Sequence, residues 1–233
     1  MTQAETCHRI RVVGSFDELI GTPFAGDVNA LCWPRRLPGD FRQIVDRLAT
    51  EPGITTIDED DLAALDLDAA GAVAREVLLA DQTLLRRHGL EPVLDCVTGA
   101  PRPEATGPIP TDVASFHVDT ATDPLDTYLC TYIGASSEGL PNEMAIRRVD
   151  VPETRAELLR AWGGADDAGF AAYLRERFYD LHYVPRAGAA PYGFGQGHLW
   201  RIAIAYPGCP VLPCIHRAPL TLPGSPARLL LIS

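Results

Sequence analysis

His117 and Asp119 stand two residues apart in the segment SFHVD. In an extended strand, residues i and i+2 project from the same face. The imidazole and the carboxylate therefore aim at one point, with Val118 on the opposite face. These are two of the three donors of the two-His-one-carboxylate triad that holds iron(II). The third must come from elsewhere in the chain. His216, in PCIHRAP, is the best placed, roughly a hundred residues on and close to another strand-like segment. His117, Asp119 and His216 are thus the candidate metal ligands and the candidate catalytic centre. Two plainer readings stand beside this one: Asp119 orients a buried His117, or it caps a turn before Thr120.

Other residues compete for roles. Cys209, Cys214 and His216, together with His117, offer a thiolate and imidazole set that suits zinc. Their C-x4-C-x-H spacing is not a standard structural zinc pattern, and the alternative is buried thiols. Tyr128, Cys130 and Tyr132 alternate on one face of a strand, with Thr127, Leu129 and Thr131 on the other. A tyrosine facing a barrel interior could bind a cosubstrate, so Tyr128 and Tyr132 are candidates, with core packing as the alternative. Ser136, Ser137 and Glu138, in SSEGLPNE, read as a loop at a barrel mouth. Glu138 is a candidate substrate contact there. His182 (DLHYVP) and His198 (QGHLW) flank a flexible insertion and read as lid or substrate residues. His8 and His88 fall in surface segments and receive no role.

The elements that position these residues change character along the chain. Residues 1–91 read as helical. PGDFRQIVDRL carries Phe41, Ile44, Val45 and Leu48 at helical spacing behind an N-cap Asp40. DAAGAVAREVLLADQTLLRRHG runs to Gly89, a good residue just past a helix end. Between them, EPGITTIDEDDLAALD reads as a loop and a short helix. Its cluster Asp58–Asp61 lacks the glycine and distal glutamate of a calcium loop, so it marks a helix start. From residue 92 onward the chain breaks into short β-branched or aromatic runs bounded by Pro and Gly: PVLDCVT, DVASFHVD, DTYLCTYI, MAIRRVD, HLWRIAIAY, VLPCIHRA and ARLLLIS. PRPEATGPIP is a loop. An insertion over about 152–180 reads as two helices joined at Gly163-Gly164, followed by the loop YVPRAGAAPYGFGQG. The expectation is a single α+β domain, with N-terminal helices packed on a barrel or jelly roll.

Composition narrows the function. The chain has 233 residues, 46% of them hydrophobic, enough for a core without staples. Its net charge of −11 opposes phosphate backbones, so nucleic acid is not an expected partner. No lysine is present, which removes Schiff-base and P-loop lysine chemistry. GADDAGF and GFGQG do not have phosphate-loop spacing, and no G-x-S-x-G elbow marks a serine hydrolase. Six cysteines without a C-x-x-C pair suggest reduced thiols. No apolar run is long enough for a membrane span and no secretory leader is visible, so the expected location is the cytoplasm.

His-x-Asp, a distant His, and Arg228 twelve residues after it follow the order of the iron(II)/2-oxoglutarate oxygenases. The chain resembles these enzymes, which carry their site in a double-stranded β-helix of cupin type. The resemblance implies that His117, Asp119 and His216 bind Fe(II). It implies that Arg228 pairs with the distal carboxylate of 2-oxoglutarate, and that O2 oxidises a small-molecule substrate. GDVNALCWPRRLP, SFHVD, TYIGASSEGL, HRAP and RLLLIS also resemble the recurrent segments of the bacterial family called domain of unknown function 1826. The chain departs from that pattern between Val149 and Gly197. Two alternatives stay open: a metal enzyme on the same barrel without 2-oxoglutarate (an oxidase, dioxygenase or zinc hydrolase), or a non-catalytic metal- or ligand-binding barrel.

Overall fold

The computed structural model describes residues 7–49, 52–99, 107–220 and 224–233. The loop expected over 101–110 falls outside them as far as residue 106. In chain order, the first part contains β1 (Ile10–Val12), α1 (Phe16–Gly21), β2 (Ala30–Trp33), α2 (Phe41–Leu48), β3 (Gly53–Ile57), α3 (Glu59–Ala64) and α4 (Ala69–Arg87). Then come β4 (Val93–Thr98), β5 (Phe116–His117), β6 (Asp126–Ile133), β7 (Glu138–Leu140) and β8 (Ala145–Arg147). The helices α5 (Pro152–Trp162) and α6 (Ala168–Glu176) precede β9 (His182–Pro185), β10 (Tyr192–Gly193), β11 (Leu199–Ala203), β12 (Ile215–Arg217) and β13 (Arg228–Ile232).

Local chemistry explains the helix ends. Asp40 caps α2 by accepting from the Arg42 amide, and Asp68 caps α4 by accepting from Ala70 and Gly71. Asp58 and Asp61 form a reciprocal capping box at the start of α3, which accounts for the acidic cluster. Helix α4 is followed by Gly89 at φ 76°, and α5 ends on Gly163 at φ 73°, both in the left-handed region that glycine enters without strain.

The strands form two sheets. The larger has the order β1-β2-β11-β6-β13-β4-β3, antiparallel except for β1 with β2. The smaller is antiparallel throughout, in the order β10-β7-β12-β5-β9-β8. The protein is therefore α+β with two largely antiparallel sheets. The expectation of a purely helical first ninety-one residues is corrected, because β1, β2 and β3 all belong to the larger sheet. Ile54-Thr55-Thr56-Ile57 is β-branched and pairs along its length with β4, so it is an edge strand where a loop was expected. Likewise β9 arises at the start of the expected loop after the insertion, and β10 within it.

The larger sheet has two dissimilar faces. Leu31, Tyr128, Cys130, Tyr132, Leu229 and Leu231 pack with Phe41, Ile44, Leu78 and Leu85 of the helices. The opposite face carries Ala30, Cys32, Leu129, Trp200 and Ile202, which pack with Tyr192, Phe194 and Cys214 from the smaller sheet and its flanks. One buried polar network crosses the helical layer. Arg35 makes a bidentate ion pair with Asp81 of α4 at 2.6 and 2.9 Å, and Tyr132 donates to Asp81 at 2.7 Å. No helix among the described residues is long and apolar enough to cross a membrane.

Asp81→Ala would leave the Arg35 guanidinium buried without its carboxylate and Tyr132 without its acceptor. The expected cost is about 3–5 kcal/mol, the scale for breaking one side of a buried pair. Urea unfolding of the variant against the unmodified chain measures it. A change below about 1 kcal/mol would show that the network is dispensable.

Candidate metal centre

Antiparallel register brings residues distant in sequence side by side. His117 on β5 lies directly opposite His216 on β12 and, on its other side, opposite His182 on β9. Directly opposed residues share a face. Three imidazoles thus form a row, and Gly139 on β7 continues it beyond His216. Asp119 lies just past the end of β5, where Ala205 donates its amide to the Asp119 carbonyl at 2.8 Å.

Its carboxylate sits between two of the imidazoles. His117 Nε2 is 3.5 Å from Asp119 Oδ1, and His216 Nε2 is 3.6 Å from Asp119 Oδ2. One donor atom from each of the three residues lies within 4.8 Å of the others. Ligands roughly 2 Å from one metal stand about 3–3.5 Å apart. The set is slightly wider than that, by an amount within reach of side-chain rotation.

Hydrogen bonds fix how each ligand presents itself. His117 Nδ1 is 2.8 Å from the Ser115 carbonyl, and His216 Nδ1 is 3.3 Å from the Cys214 carbonyl. A carbonyl oxygen only accepts, so in each ring Nδ1 carries a hydrogen and Nε2 is the nitrogen turned toward Asp119, donating to the carboxylate when protonated and offering its lone pair to a metal when not. Tethering of the remote ring nitrogen in this way is usual for metal-binding histidines. Thr127 of β6 donates to Asp119 Oδ2 at 2.7 Å and orients the carboxylate from the other sheet.

The electrostatics agree with the geometry. Burial pushes the Asp119 carboxyl up, but the His117 hydrogen bond, the His216 charge and the Thr127 hydroxyl together hold it well below the usual range. Burial pushes His117 down, yet bonds to Asp119 and the Ser115 carbonyl leave it raised overall. In His216 burial prevails over Asp119, and its value is lowered. The site therefore holds an ionised carboxylate and at least one neutral imidazole, the forms in which these groups bind metals.

His182 comes to the site as a neighbour of the ligands. It is 4% exposed, and its ring centre is 5.9 Å from that of His117. Ser115 Oγ donates to the Asp112 carbonyl at 2.8 Å, so at 2.8 Å from His182 Nδ1 it accepts. Ser115 thus holds both His117, through its carbonyl, and His182, through its hydroxyl.

Arg228 occupies the inner face of β13 and is 5% exposed. Its Nη2 donates to Ser137 Oγ at 2.8 Å and lies 3.4 Å from Thr131 Oγ1, while its buried Nε has no partner. Among the described residues no carboxylate pairs with it. Burial alone lowers its value to about 10. Ser137 lies two residues, roughly 7 Å along β7, from the Gly139 position that opposes His216. Arg228 also lines a cavity of about 770 Å³, together with Arg42 of α2, Ile133, Gly134, Gln196 and Ser225. None of the three candidate ligands lines that cavity.

Other candidates are placed elsewhere. Tyr128 and Tyr132 face the helical layer, where Tyr132 stacks on Phe41 with ring centres 5.3 Å apart, so neither reaches the row of histidines. The threonine face of β6 points inward instead. Glu138 pairs with Arg217 at 2.6 Å on the face opposite His216. His198 accepts from the Arg35 amide at 3.1 Å and belongs with the Arg35–Asp81 network. Cys209 and Cys214 do not join His216 in a metal-ligating group among the described residues. Ser115, Thr127, Thr131 and Tyr192 were not anticipated. Only the alternation of β6 carried a signal for any of them. No family model, curated protein or solved structure matches the chain.

Thr127→Val removes the hydroxyl that orients Asp119 and keeps the side-chain shape. Metal affinity should fall about 10–100-fold, the usual effect of losing such a partner, as read by competition with a chromogenic chelator. Unchanged affinity would place Asp119 outside the metal's coordination.

His182 gives a pH signature. Burial, with the charges of His117 and Arg148, lowers its value from 6.5 to about 4. As pH falls through 6.5 the unfolded chain takes up a proton that the folded chain refuses until about pH 4. Stability is therefore lost across that window, on the order of 3 kcal/mol at its acid end. In the metal-free protein, His182→Asn should flatten this part of the urea-unfolding pH profile. A variant as acid-sensitive as the unmodified chain would contradict the assignment.

Proposed function

We propose that the protein is a mononuclear non-haem iron(II) oxygenase that uses 2-oxoglutarate and O2 to hydroxylate or desaturate a small molecule. The observation that carries this reading is the paired presentation of His117 and His216. Each is tethered through Nδ1 and turns Nε2 toward Asp119. Two imidazoles and one carboxylate on one side of a metal leave its remaining positions open to ligands. Two facing, largely antiparallel sheets, with the His-x-Asp segment on the smaller, support a jelly-roll core of cupin type.

Iron(II) bound here would supply the activation of O2 and the oxidising power. The chain's own residues do the rest. Ser115, Cys214 and Thr127 orient the ligands. Arg228 offers a buried guanidinium, paired with no carboxylate among the described residues, whose planar fork suits one. An anion entering by the cavity beside α2 meets Arg228 on its way inward. His182 forms one side of the space next to His117, where it can contact substrate.

Two measurements test the reading. The protein loaded anaerobically should hold one iron(II) per chain and, in air, convert 2-oxoglutarate to succinate. Arg228→Ala should leave the metal content nearly unchanged and weaken 2-oxoglutarate binding by about 2–5 kcal/mol, by calorimetry. An unaltered affinity in that variant would remove 2-oxoglutarate and leave a metal enzyme of another kind. Zinc in place of iron in the protein as isolated, with no succinate formed, would favour a hydrolase.

A further inference from the structure

Beyond His216, the row across the smaller sheet continues with Gly139 on β7 and Tyr192 on β10. Gly139 leaves its place on the inner face empty, and the Tyr192 phenol lies across it. A methyl group at Gly139 would overlap Tyr192 Cζ, Cε2 and Oη. The hydroxyl end of Tyr192 thus takes the seat that a side chain beside His216 would fill.

Tyr192 Oη is 3.8 Å from Cys214 Sγ, and no other hydrogen-bond partner for it exists among the described residues. Tyr192 is 3% exposed and Cys214 1%. A buried phenol ordinarily finds an oxygen or nitrogen partner, and sulfur is a weak substitute. Cys214 is bound to the site a second way, since its carbonyl receives the Nδ1 hydrogen of His216. A phenol and a thiol, both readily oxidised, are therefore in contact with each other and next to a proposed metal ligand. Burial keeps both in their neutral forms, with the Tyr192 hydroxyl well above its ordinary range and the Cys214 thiol at about 12.

We propose that Cys214 and Tyr192 become joined by a thioether, formed at the metal centre from O2. The bond runs from Cys214 Sγ to a ring carbon next to the one that bears the Tyr192 hydroxyl. The S–H bond of Cys214 and one C–H bond of the ring break, and one C–S bond forms. The two electrons and two protons released reduce O2 to hydrogen peroxide, and the iron returns to its starting state. The thioether would fasten β10 to the residue that tethers His216 and so hold that ligand in place. This inference rests on the reading that the triad holds iron.

The experiment uses the full chain, purified metal-free and without oxygen, then loaded with iron(II) and exposed to air. Iron content is measured on the same sample. The expected product is lighter than the starting chain by two hydrogen atoms. Trypsin cuts after Arg186, Arg201 and Arg217, so the peptides 187–201 and 202–217 should run as one species, with the link located by fragmentation at Tyr192 and Cys214. Tyr192→Phe preserves the ring and should bind iron normally, yet show no loss of mass and two separate peptides. Cys214→Ser, which keeps the carbonyl that tethers His216, should also show no loss of mass and two separate peptides. Iron bound at one per chain with the two peptides still separate after exposure to air would overturn the thioether and leave the metal centre standing. Failure to bind iron would overturn both.

Discussion

The pairing of His216 with His117 across β12 and β5 is the contact on which the site depends. Both strands are short, three and two residues long, well below the usual five or six. Neither can hold its register by length. The outward face of the smaller sheet does this work, with Phe116, Val118, Leu140 and Ile215 in one apolar cluster. Backbone bonds pin the adjoining chain: Val118 to the Leu181 carbonyl at 3.1 Å, Ala205 to the Asp119 carbonyl and Cys214 to the Ala203 carbonyl at 2.8 Å each. A one-residue slip of β12 would turn Ile215 or Arg217 inward and His216 outward. It would also carry the Arg217 guanidinium to the inner face and take Ile215 out of its apolar cluster, so the apolar pattern itself selects the register that brings the ligands together.

Strand β6 joins the stable part of the molecule to the reactive part. Its outward side chains, Tyr128, Cys130 and Tyr132, are built into the core beneath the helices. Its inward hydroxyls serve charged groups: Thr127 donates to Asp119, and Thr131 lies beside Arg228. The packing that fixes β6 against α2 and α4 therefore also fixes two contacts of the site. The Arg35–Asp81–Tyr132 network acts through the same strand, from the helical side.

How far the site could be read from the sequence follows from the range of the interactions involved. The i, i+2 placement of His117 and Asp119 is a local property of extended chain, and it is legible. So are the caps at Asp40 and Gly89 and the joint at Gly163, because each is set by neighbours in sequence. The two faces of β6 were legible as a pair, but which of them met the helices was not. That depends on α2 and α4, which lie far away in the chain. The three-residue β1, the four-residue β2 and the five-residue β3 show too little periodicity to reveal strands that exist because β2, β11 and β4 respectively pair with them. The sequence marks His182 as a lid or substrate residue. Its place beside His117 comes from the register of β9, which follows an insertion of two helices. Tyr192 was invisible for a similar reason, since its position depends on Gly139 leaving room for its ring.

The charges on the inner face bear on what else the proposed site accommodates. Among the described residues Arg228 is a buried cation without an anion, an arrangement that folding alone does not favour. Asp119 contributes one negative charge, and the two ligand imidazoles contribute none when they bind a metal. A divalent ion held there would leave the centre with one surplus positive charge, and Arg228, on β13, supplies a second where it donates to Ser137. A monoanion would neutralise either one and strand the other. A ligand with two carboxylates, one at the metal and one at Arg228, would neutralise both at once. Each charge would then lower the cost of burying the other ligand end, because in a region of low polarity an unpaired charge is far more costly than a paired one. Among the described residues the guanidinium meets the hydroxyls of Ser137 and Thr131 and no carboxylate. Hydroxyls orient the fork without cancelling its charge, whereas an internal carboxylate would satisfy Arg228 permanently and close the position to an incoming anion.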